Sequence, residues 1–375
     1  MTDIPSALDL TRELVAFDTI NPPGNEGPCL ERLGALLERA GFRLAWHGWR
    51  PGRPNLVARL PATSAGERRP LVFSGHVDTV PLGQAAWSVD PCAGEVRDGR
   101  LYGRGTSDMK SGVAALVVAA LRLARREARS TELVLVLSVG EETGCEGVLA
   151  LAERPDLLGE AGAMIVAEPT DGRPFVGHKG ALWMSLIHRG VTAHGSMPEK
   201  GRNAIFTACA SVEALRRFDF AVEPHSVMGS PTLNLGTLAA GMNLNSVPDL
   251  ARLGVDIRTV AGQSNADVRD AVASAVGAEV EIETLADMEP VFTDPADPFL
   301  RAAVEIAAGG ADAAPQVATY FTDASVLKRA MGDPPTLIMG PGAMAMAHQT
   351  DEWCEVAKLD PCVDAYAELG ERWLA

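Results

Sequence analysis

Apolar and polar positions follow two different periods in the N-terminal part of this chain. Residues 6–17 and 27–40 carry apolar side chains at helical spacing, and the second run stops at Gly41. Residues 42–49 and 55–60 have strand-like patterns on either side of a turn rich in Pro, Gly and Arg. The pattern therefore predicts helices followed by strands.

Four further apolar runs are short and are bounded by turn residues. This is typical of parallel strands that are covered on both faces. The runs are residues 71–73, 132–138, 163–167 and 336–339. A segment rich in Ala, Leu and Val over residues 112–126 predicts a helix between the first two runs. We therefore predict an α/β fold with a mainly parallel sheet.

Between residues 177 and 287 the pattern changes. Strands are predicted at residues 179–188, 232–239, 251–260 and 279–284, with helices at residues 202–218 and 265–276. The order β-α-β-β-α-β is that of a ferredoxin-like domain with its helices on one face of the sheet. Because a buried strand and His348 follow this region, we predict that it is an insertion. The expected domains are residues 1–176 plus 288–375, and residues 177–287.

Charge and composition narrow the range of functions. A chain of 375 residues with 47% hydrophobic and 22% charged residues is typical of a soluble protein with two domains. Its formal net charge of -16 argues against nucleic acid or an anionic membrane as a partner. Residues 1–10 do not resemble a secretory signal, and the six cysteines are scattered without a C-x-x-C pair. We therefore expect a reduced, cytoplasmic protein.

Histidines and carboxylates follow the predicted buried strands. Open α/β sheets bind ligands at the carboxyl ends of their strands, so these side chains should converge there. His76 and Asp78 are two residues apart and share one side of an extended segment. This arrangement suits a metal-binding imidazole held by a carboxylate, although a surface histidine beside a capping aspartate fits the same stretch. Asp108, in a Gly-rich loop ahead of a helix, can join the group or cap the helix.

The candidate ligand set contains two imidazoles and three carboxylates. It consists of His76, Asp108, Glu142, Glu168 and His348. These donors suit zinc, cobalt or manganese better than calcium. With one bridging carboxylate they can hold two ions about 3.5 to 4 Å apart, which stabilise a bound hydroxide and the oxyanion formed from a carbonyl. Of the adjacent acids, Glu142 is the expected ligand and Glu141 the general base, the alternative being a solvated acidic patch.

Six motifs in fixed order extend this hypothesis. They are Ser-Gly-His-Val-Asp (74–78), Gly-Arg-Gly-Thr-Ser-Asp-Met-Lys (103–110), Glu-Glu-Thr-Gly (141–144), Glu-Pro-Thr (168–170), His-Gly-Ser-Met-Pro-Glu-Lys-Gly-Arg-Asn-Ala-Ile (194–205), and Gly-Pro-Gly with Ala-His-Gln-Thr-Asp-Glu (340–352). With them the chain resembles the M20 family of metallopeptidases, close to acetylornithine deacetylases and succinyl-diaminopimelate desuccinylases. The resemblance implies a dizinc-exopeptidase-like catalytic domain.

The resemblance also assigns roles to the candidate ligands. It implies that His76 and Glu168 bind one zinc ion and that Glu142 and His348 bind the other. Asp108 would bridge the two ions. Asp78 would orient His76, and Glu141 would be the base, as residue chemistry also indicates.

In the inserted domain the resemblance implies a lid that also forms a homodimer. His194 would donate to the oxyanion, often from the partner subunit, although the sequence around it equally fits a surface histidine. Arg258 resembles the arginine that holds a substrate carboxylate, a task that suits its planar fork, and Asn245 a polar residue of the same region. A surface ion pair between Arg258 and Asp256 is the alternative.

The expected function is removal of an acyl group from an N-acyl amino acid, with acetylornithine-like substrates first. The alternatives are a carboxypeptidase or dipeptidase, and a non-catalytic metal-binding protein of the same fold. Asp323 falls near the position where related deacylases contact a substrate amine. The chain lacks the longer Gly/Ser-rich segment of the desuccinylase branch.

Overall fold

The computed structural model describes residues 4–307 and 314–375. Residues 1–3 and 308–313 of the predicted catalytic domain lie outside these ranges. The described chain forms two compact units. The first contains the residues up to Gly177 together with those of Phe292–Ala318 and Thr322–Ala375, and the second contains His178–Val291 and Thr319–Phe321.

The described helices and strands are numbered here in chain order. The helices are α1 (Ala7–Val15), α2 (Gly27–Arg39), α3 (Lys110–Ala124), α4 (Glu146–Ala152), α5 (Pro155–Leu158), α6 (Ala204–Arg216), α7 (Asn265–Val276), α8 (Pro298–Ala307), α9 (Ala324–Ala330) and α10 (Leu359–Leu374). The strands are β1 (Arg43–Arg50), β2 (Arg53–Leu60), β3 (Leu71–His76), β4 (Glu95–Arg97), β5 (Arg100–Tyr102), β6 (Leu133–Ser138), β7 (Ala163–Val166), β8 (Phe175–His178), β9 (Ala181–Arg189), β10 (Thr232–Ala240), β11 (Leu250–Arg258), β12 (Glu281–Met288), β13 (Val291–Phe292), β14 (Gln316–Ala318), β15 (Thr336–Ile338) and β16 (Trp353–Glu355).

The central sheet of the first unit has the order β1-β2-β6-β3-β7-β15-β8-β13, with β14 paired to β8. Strands β6, β3, β7 and β15 are parallel neighbours, whereas β2 and β8 join this set antiparallel. All residues of β3 and β6 are buried, as expected for strands covered on both faces. The predicted α/β fold is confirmed. The strand that begins with the 71–73 run is expected to end at Gly75, but β3 extends one residue further, because His76 still pairs with Ser138 of β6.

Helix α3 packs against the central sheet close to the end of β7. Its residues are buried almost all round, because β3, α1 and α10 contact it on different sides. A Cβ atom at Gly112 would lie 2.0 Å from the carbonyl oxygen of Ala167, so only glycine permits this approach. The contact fixes the start of α3 beside the segment that leads from β7 to Glu168.

The second unit has the predicted β-α-β-β-α-β order, formed by β9, α6, β10, β11, α7 and β12. Its antiparallel sheet has the order β10-β11-β9-β12. Alternate residues of β11, namely Leu253, Val255 and Ile257, are buried in one core with residues of β9, α6 and α7. Two helices therefore cover one face of the sheet, which confirms the ferredoxin-like prediction.

Several short elements are absent from the sequence-based prediction. Strands β4, β5 and β16 form a separate three-stranded sheet. Each is three residues long, so none shows a recognisable period. Strand β13 is only two residues long and likewise has no recognisable period. In residues 4–307 and 314–375 no helix is long and apolar enough to cross a bilayer.

Candidate metal centre

The carboxyl ends of four parallel strands bring the predicted ligands of the first unit together. His76 is the last residue of β3 and pairs with Ser138, the last residue of β6. Glu141 and Glu142 follow β6, and Glu168 follows β7. His348 comes later in the chain, beyond the end of β15. These positions follow from the rule that parallel strands present their carboxyl ends at one edge of the sheet.

The ring of His76 has one nitrogen turned into the protein and one turned toward carboxylates. Its Nδ1 lies 3.0 Å from the backbone carbonyl oxygen of Asp78 and 3.5 Å from Oδ1 of the same residue. Its Nε2 lies 3.4 Å from Asp108 Oδ1 and 3.7 Å from Glu168 Oε1. Donation of a proton from Nδ1 to the carbonyl leaves the lone pair of Nε2 available to a cation.

Two groups of three side chains share Asp108. One ligand atom each from His76, Asp108 and Glu168 lie within 4.8 Å of one another, and the same holds for Asp108, Glu142 and His348. His348 Nε2 lies 3.0 Å from Glu142 Oε2 and 3.4 Å from Asp108 Oδ2. The two oxygens of Asp108 thus face different histidines. This geometry suits a carboxylate shared by two cations.

The polar atoms of this cluster fit divalent cations. Among the described residues, His76 Nε2, Asp108 Oδ1 and Glu142 Oε1 are buried and accept or donate no hydrogen bond. Buried polar atoms normally have partners, so unpaired ones in a cluster of metal-binding donors indicate a missing partner. Imidazole with carboxylate is the donor set of first-row divalent ions.

Burial and crowding shift the pKa values of these groups. Burial disfavours a positive charge on His76, but carboxylates, first Asp108, outweigh burial and raise its pKa well above the usual range. Burial is the main cause that raises the pKa values of Glu141 and Glu168 well above normal. Burial and then the charge of Asp108 raise the pKa of Glu142 to about 7. Carboxylates that are buried close together favour the binding of cations, which offset their mutual repulsion.

Asp78 organises the loop that carries the adjacent acids. Its Oδ1 accepts a hydrogen bond from the backbone N–H of Glu141 at 3.2 Å, and its Oδ2 accepts one from that of Glu142 at 3.3 Å. The side-chain amide of Asn21 donates to the same carboxylate at 2.9 Å. The carboxylate of Asp78 therefore holds the loop, while its backbone carbonyl accepts the hydrogen bond of His76. Sequence reasoning missed Asn21, because no local pattern links it to a residue 57 positions away.

Glu141 is 5% exposed and lies beside the first group of ligands. Its Oε2 is 4.0 Å from His76 Nε2. Glu142 instead contacts His348, so the two neighbouring acids point to different partners. Asp323 is buried and accepts a hydrogen bond from Ser138 Oγ, so this carboxylate is engaged with the end of β6.

The segment after β15 approaches the centre closely. A Cβ atom at Gly342 would lie 2.1 Å from the carbonyl oxygen of Ser107, next to Asp108. His348 has a φ of 63°, a left-handed conformation that a non-glycine residue adopts only when its surroundings hold it. Such conformations cluster at functional sites. Its side chain is 54% exposed, in contrast to the 1% of His76.

The other predicted site residues lie in the second unit. His194 is exposed and its Nδ1 lies 2.7 Å from Ser196 Oγ. The backbone carbonyl of Asn245 accepts a hydrogen bond from Gly195 at 2.7 Å, so the loops of His194 and Asn245 are adjacent.

Arg258 is engaged within the second unit. Its Nε lies 2.9 Å from Asp256 Oδ1, and its guanidinium stacks over the ring of Trp183 at 5.7 Å. The indole N–H of Trp183 donates to the same carboxylate oxygen at 2.9 Å. The ion pair between Arg258 and Asp256, which is the alternative role of Arg258, is thus present. It fixes the direction of the guanidinium.

The chain is similar in sequence to known proteins over nearly its whole length. The sequence matches the family model described as peptidase family M20/M25/M40 over residues 72–372. An acetylornithine deacetylase from Proteus mirabilis is 29% identical, with 99% of this chain and 97% of that protein covered. A succinyl-diaminopimelate desuccinylase from Cereibacter sphaeroides is 31% identical, with 98% of each chain covered.

Two solved structures are similar over nearly the whole chain. A tripeptidase from Staphylococcus aureus has a TM-score of 0.78 at 22% identity, with 100% of this chain and 99% of that one covered. A dinuclear metal-binding peptidase of the M20 family from Bacillus subtilis has a TM-score of 0.72 at 16% identity, with 98% of this chain and 97% of that one covered. Both share the fold described above.

Proposed function

The chain belongs to peptidase family M20/M25/M40, and from this premise we propose that it removes the acyl group from an N-acyl amino acid. Acetylornithine-like compounds are the leading candidate substrates. Hydrolysis of an amide bond is the activity common to the family. The observation that carries the proposal is the shared position of Asp108, whose two oxygens face His76 and His348.

The proposed centre holds two divalent ions, with zinc first and cobalt or manganese as alternatives. His76 and Glu168 would hold one ion, Glu142 and His348 the other, and Asp108 both. When bound, the ions supply Lewis acidity toward water and a carbonyl oxygen. Asp78 would keep the ring of His76 in the tautomer that leaves Nε2 free.

Glu141 is the proposed general base. It takes a proton at Oε2 from the attacking water and delivers it to the leaving nitrogen. Two features of the described residues support this role: the side chain is nearly buried beside the ligands, and burial raises its pKa well above the usual range of a carboxyl group, which makes it a stronger base. The hydrogen bond from its backbone N–H to Asp78 holds its loop in place.

The second unit is the proposed source of substrate contacts. His194 would donate a hydrogen bond to the oxyanion, and Arg258 would bind a substrate carboxylate with the N–H groups that Asp256 leaves free. Asn245 would line the same region. The adjacency of the His194 and Asn245 loops supports a common task for them.

We also propose a homodimer formed through the second unit. Strand β10 is at the edge of its sheet, where unpaired backbone groups can pair with another chain. Three apolar side chains on β10 and just after it, Leu238, Met242 and Leu244, are more than half exposed. An exposed apolar edge of this kind indicates an association surface.

A substrate panel tests the proposed activity. Metal-free protein reloaded with zinc, cobalt or manganese should hydrolyse N-acetyl and N-succinyl amino acids, with N-acetylornithine among the best. Similarity over nearly the whole chain to a deacetylase and a desuccinylase supports N-acyl amino acids as the first choice of substrate. Similarity to a tripeptidase structure makes peptides the second choice. Cleavage of dipeptides alone would overturn the deacylase proposal.

Glu141→Gln tests the base. We expect kcat to fall about 10²- to 10⁴-fold, the usual contribution of general base catalysis, with zinc content unchanged by elemental analysis. His47→Gln, at a histidine on β1, is the control for a neutral substitution in the same unit. Loss of zinc together with activity would show that Glu141 is a ligand or a structural residue.

Mixing of inactive variants tests the dimer and the position of His194. Glu141→Ala and His194→Ala homodimers should each be inactive. If His194 acts across the interface, subunit exchange between them should restore part of the activity. Absence of recovery, with exchange proved by labelled subunits, would exclude action in trans.

A further inference from the structure

A buried carboxylate outside the proposed ligand set holds the loop that presents Asp108. Glu352 is fully buried. Its Oε1 accepts hydrogen bonds from the backbone N–H groups of Ser107 at 2.7 Å and Asp108 at 3.0 Å. Its Oε2 accepts one from the N–H of Gly105 at 2.9 Å and one from Arg104 Nη1 at 2.6 Å. Three backbone groups of one short loop thus converge on a single carboxylate.

The cation of this cluster is also fixed. Arg104 is 4% exposed, and its guanidinium donates to the backbone carbonyls of Pro81 at 3.1 Å and Gln349 at 3.3 Å. Hydrogen bonds between charged groups and backbone dipoles in a dry interior are among the stronger ones. Arg104 balances the charge of Glu352, and its contacts with Gln349 and Pro81 join the segment of Glu352 to one further segment.

The position of Glu352 along the chain links the two halves of the centre. It is four residues beyond His348 in the same segment. The carboxylate of Glu352 accepts hydrogen bonds from residues 104–108, the loop that carries the shared ligand Asp108. Asp108 contacts both histidines at 3.4 Å, so a small displacement of its loop would break one contact or the other.

We propose that Glu352 is a positioning residue for metal binding: its carboxylate sets the 104–108 loop so that Asp108 presents one oxygen to each histidine. The inference rests on the proposed metal centre. Mutation of a residue that hydrogen-bonds to a metal ligand typically weakens metal binding about 10- to 100-fold.

A purely structural ion pair is the competing explanation, and the chain contains a matched example. Arg53 and Glu26 form a second buried pair in the first unit, with side-chain exposures of 7% and 0%. The carboxylate of Glu26 accepts hydrogen bonds from Arg53. In the described residues, no backbone N–H of a ligand-bearing loop donates to it. Glu26→Gln therefore removes a comparable buried charge without removing a hydrogen bond to a ligand-bearing loop.

The test compares zinc binding by metal-free Glu352→Gln and Glu26→Gln with that of the wild type. Zinc affinity is measured by competition with a chromophoric chelator, and Tm is measured on the same samples. We expect Glu352→Gln to weaken binding of at least one zinc ion by about 10- to 100-fold. Glu26→Gln should lower Tm but retain both affinities.

Three results would overturn the proposal: wild-type zinc affinity in folded Glu352→Gln, an equal loss in Glu26→Gln, or no zinc binding by the wild type. If Glu352→Gln does not fold, Arg104→Lys keeps the charge but loses the planar fork. This variant should show a smaller weakening, and unchanged affinity would contradict the proposal. A wild type that binds zinc but cleaves no amide would end the proposed function and leave this inference intact.

Discussion

At the scale of single residues, His76 and His348 have the same proposed task in opposite surroundings. His76 closes a buried strand, whereas His348 is half exposed in a left-handed backbone conformation. Replacement of either by Ala should reduce bound zinc from two ions. In metal-free protein His348→Ala should lower the unfolding free energy by less than about 1 kcal/mol, because the ion pairs that it removes, with Glu142 and Asp108, involve a half-exposed imidazole. His76→Ala should cost at least about 1 kcal/mol, because it leaves a cavity among carboxylates.

Elemental analysis and thermal unfolding of both variants check this contrast. Equal stability of the two metal-free variants would show that the buried ring contributes nothing to the fold. Retention of two zinc ions by either variant would remove that histidine from the ligand set.

A third histidine gives a prediction of pH dependence. His178 is fully buried, and burial lowers its pKa to about 4, against a small opposing effect of its hydrogen bond with the Lys179 carbonyl. A lowered pKa means that the unfolded chain binds the proton more readily. Stability is therefore fully present above pH 6.5 and is lost as pH falls toward 4.

His178→Gln should reduce the loss of unfolding free energy between pH 7 and pH 5 by about 2 kcal/mol. Urea unfolding at the two pH values measures it. His194→Gln, at an exposed position, controls for the loss of an ionisable side chain. An unchanged pH dependence in His178→Gln would mean that the imidazole does not stay neutral in the folded protein.

At the scale of elements, the segment after β15 and the loop before α3 are in direct contact through Gly342. A Cβ atom there would lie 2.1 Å from Ser107 O and 2.9 Å from Pro169 Cβ, so one backbone segment must move. We expect Gly342→Ala to destabilise the protein by about 1–3 kcal/mol and to weaken zinc binding, because Ser107 adjoins Asp108. Unfolding and zinc titration measure the two effects.

Gly48→Ala is the matched control for this change. A Cβ atom at Gly48 meets no described heavy atom within 4 Å, and the residue lies on β1 in the same unit. Its stability should remain within about 1 kcal/mol of the wild type. If Gly342→Ala behaved like Gly48→Ala, the close approach would have no role in shaping the centre.

The elements that sequence patterns predicted best are the buried ones. Strands β6 and β15 are nearly continuous apolar runs between turn residues, and this signal is strong. The prediction omits α10, although its buried positions Leu359, Val363 and Tyr366 follow helical spacing. The three-residue strands β4, β5 and β16 have no such signal and form only because they pair with one another.

The candidate centre shows where sequence reasoning stops. Residue type and position at strand ends were enough to select His76 and Glu168, and the Gly-rich loop ahead of α3 supplied Asp108. The structure brings one ligand atom of each within 4.8 Å of the others. The support given by Asn21 and Glu352 comes from contacts between distant segments. Glu352 belongs to the Ala-His-Gln-Thr-Asp-Glu motif (347–352). No rule of residue spacing predicts that backbone N–H groups of another loop converge on it.

At the scale of the whole molecule, the proposed ions should stabilise the first unit by mass action. Zinc at a free concentration about 1,000 times its Kd adds about 4 kcal/mol to the unfolding free energy if the unfolded chain does not bind it. Removal of metal by a chelator should lower Tm, and reloading should restore it. The double variant His76→Ala/His348→Ala should show no such rise, and a rise of wild-type size would place the stabilising zinc elsewhere.

The distribution of the ligands along the chain has a consequence for biosynthesis. His76, Asp108, Glu142 and Glu168 precede the inserted domain along the chain, whereas His348 and Glu352 follow it. His348, which completes the second ligand group, and Glu352, which holds the loop of Asp108, are therefore translated only after the whole ferredoxin-like insertion. A nascent chain can offer a cation one group of donors at most. Acquisition of the complete metal complement should thus wait until residues 348–352 have been translated, and it can act as a check that this segment has docked.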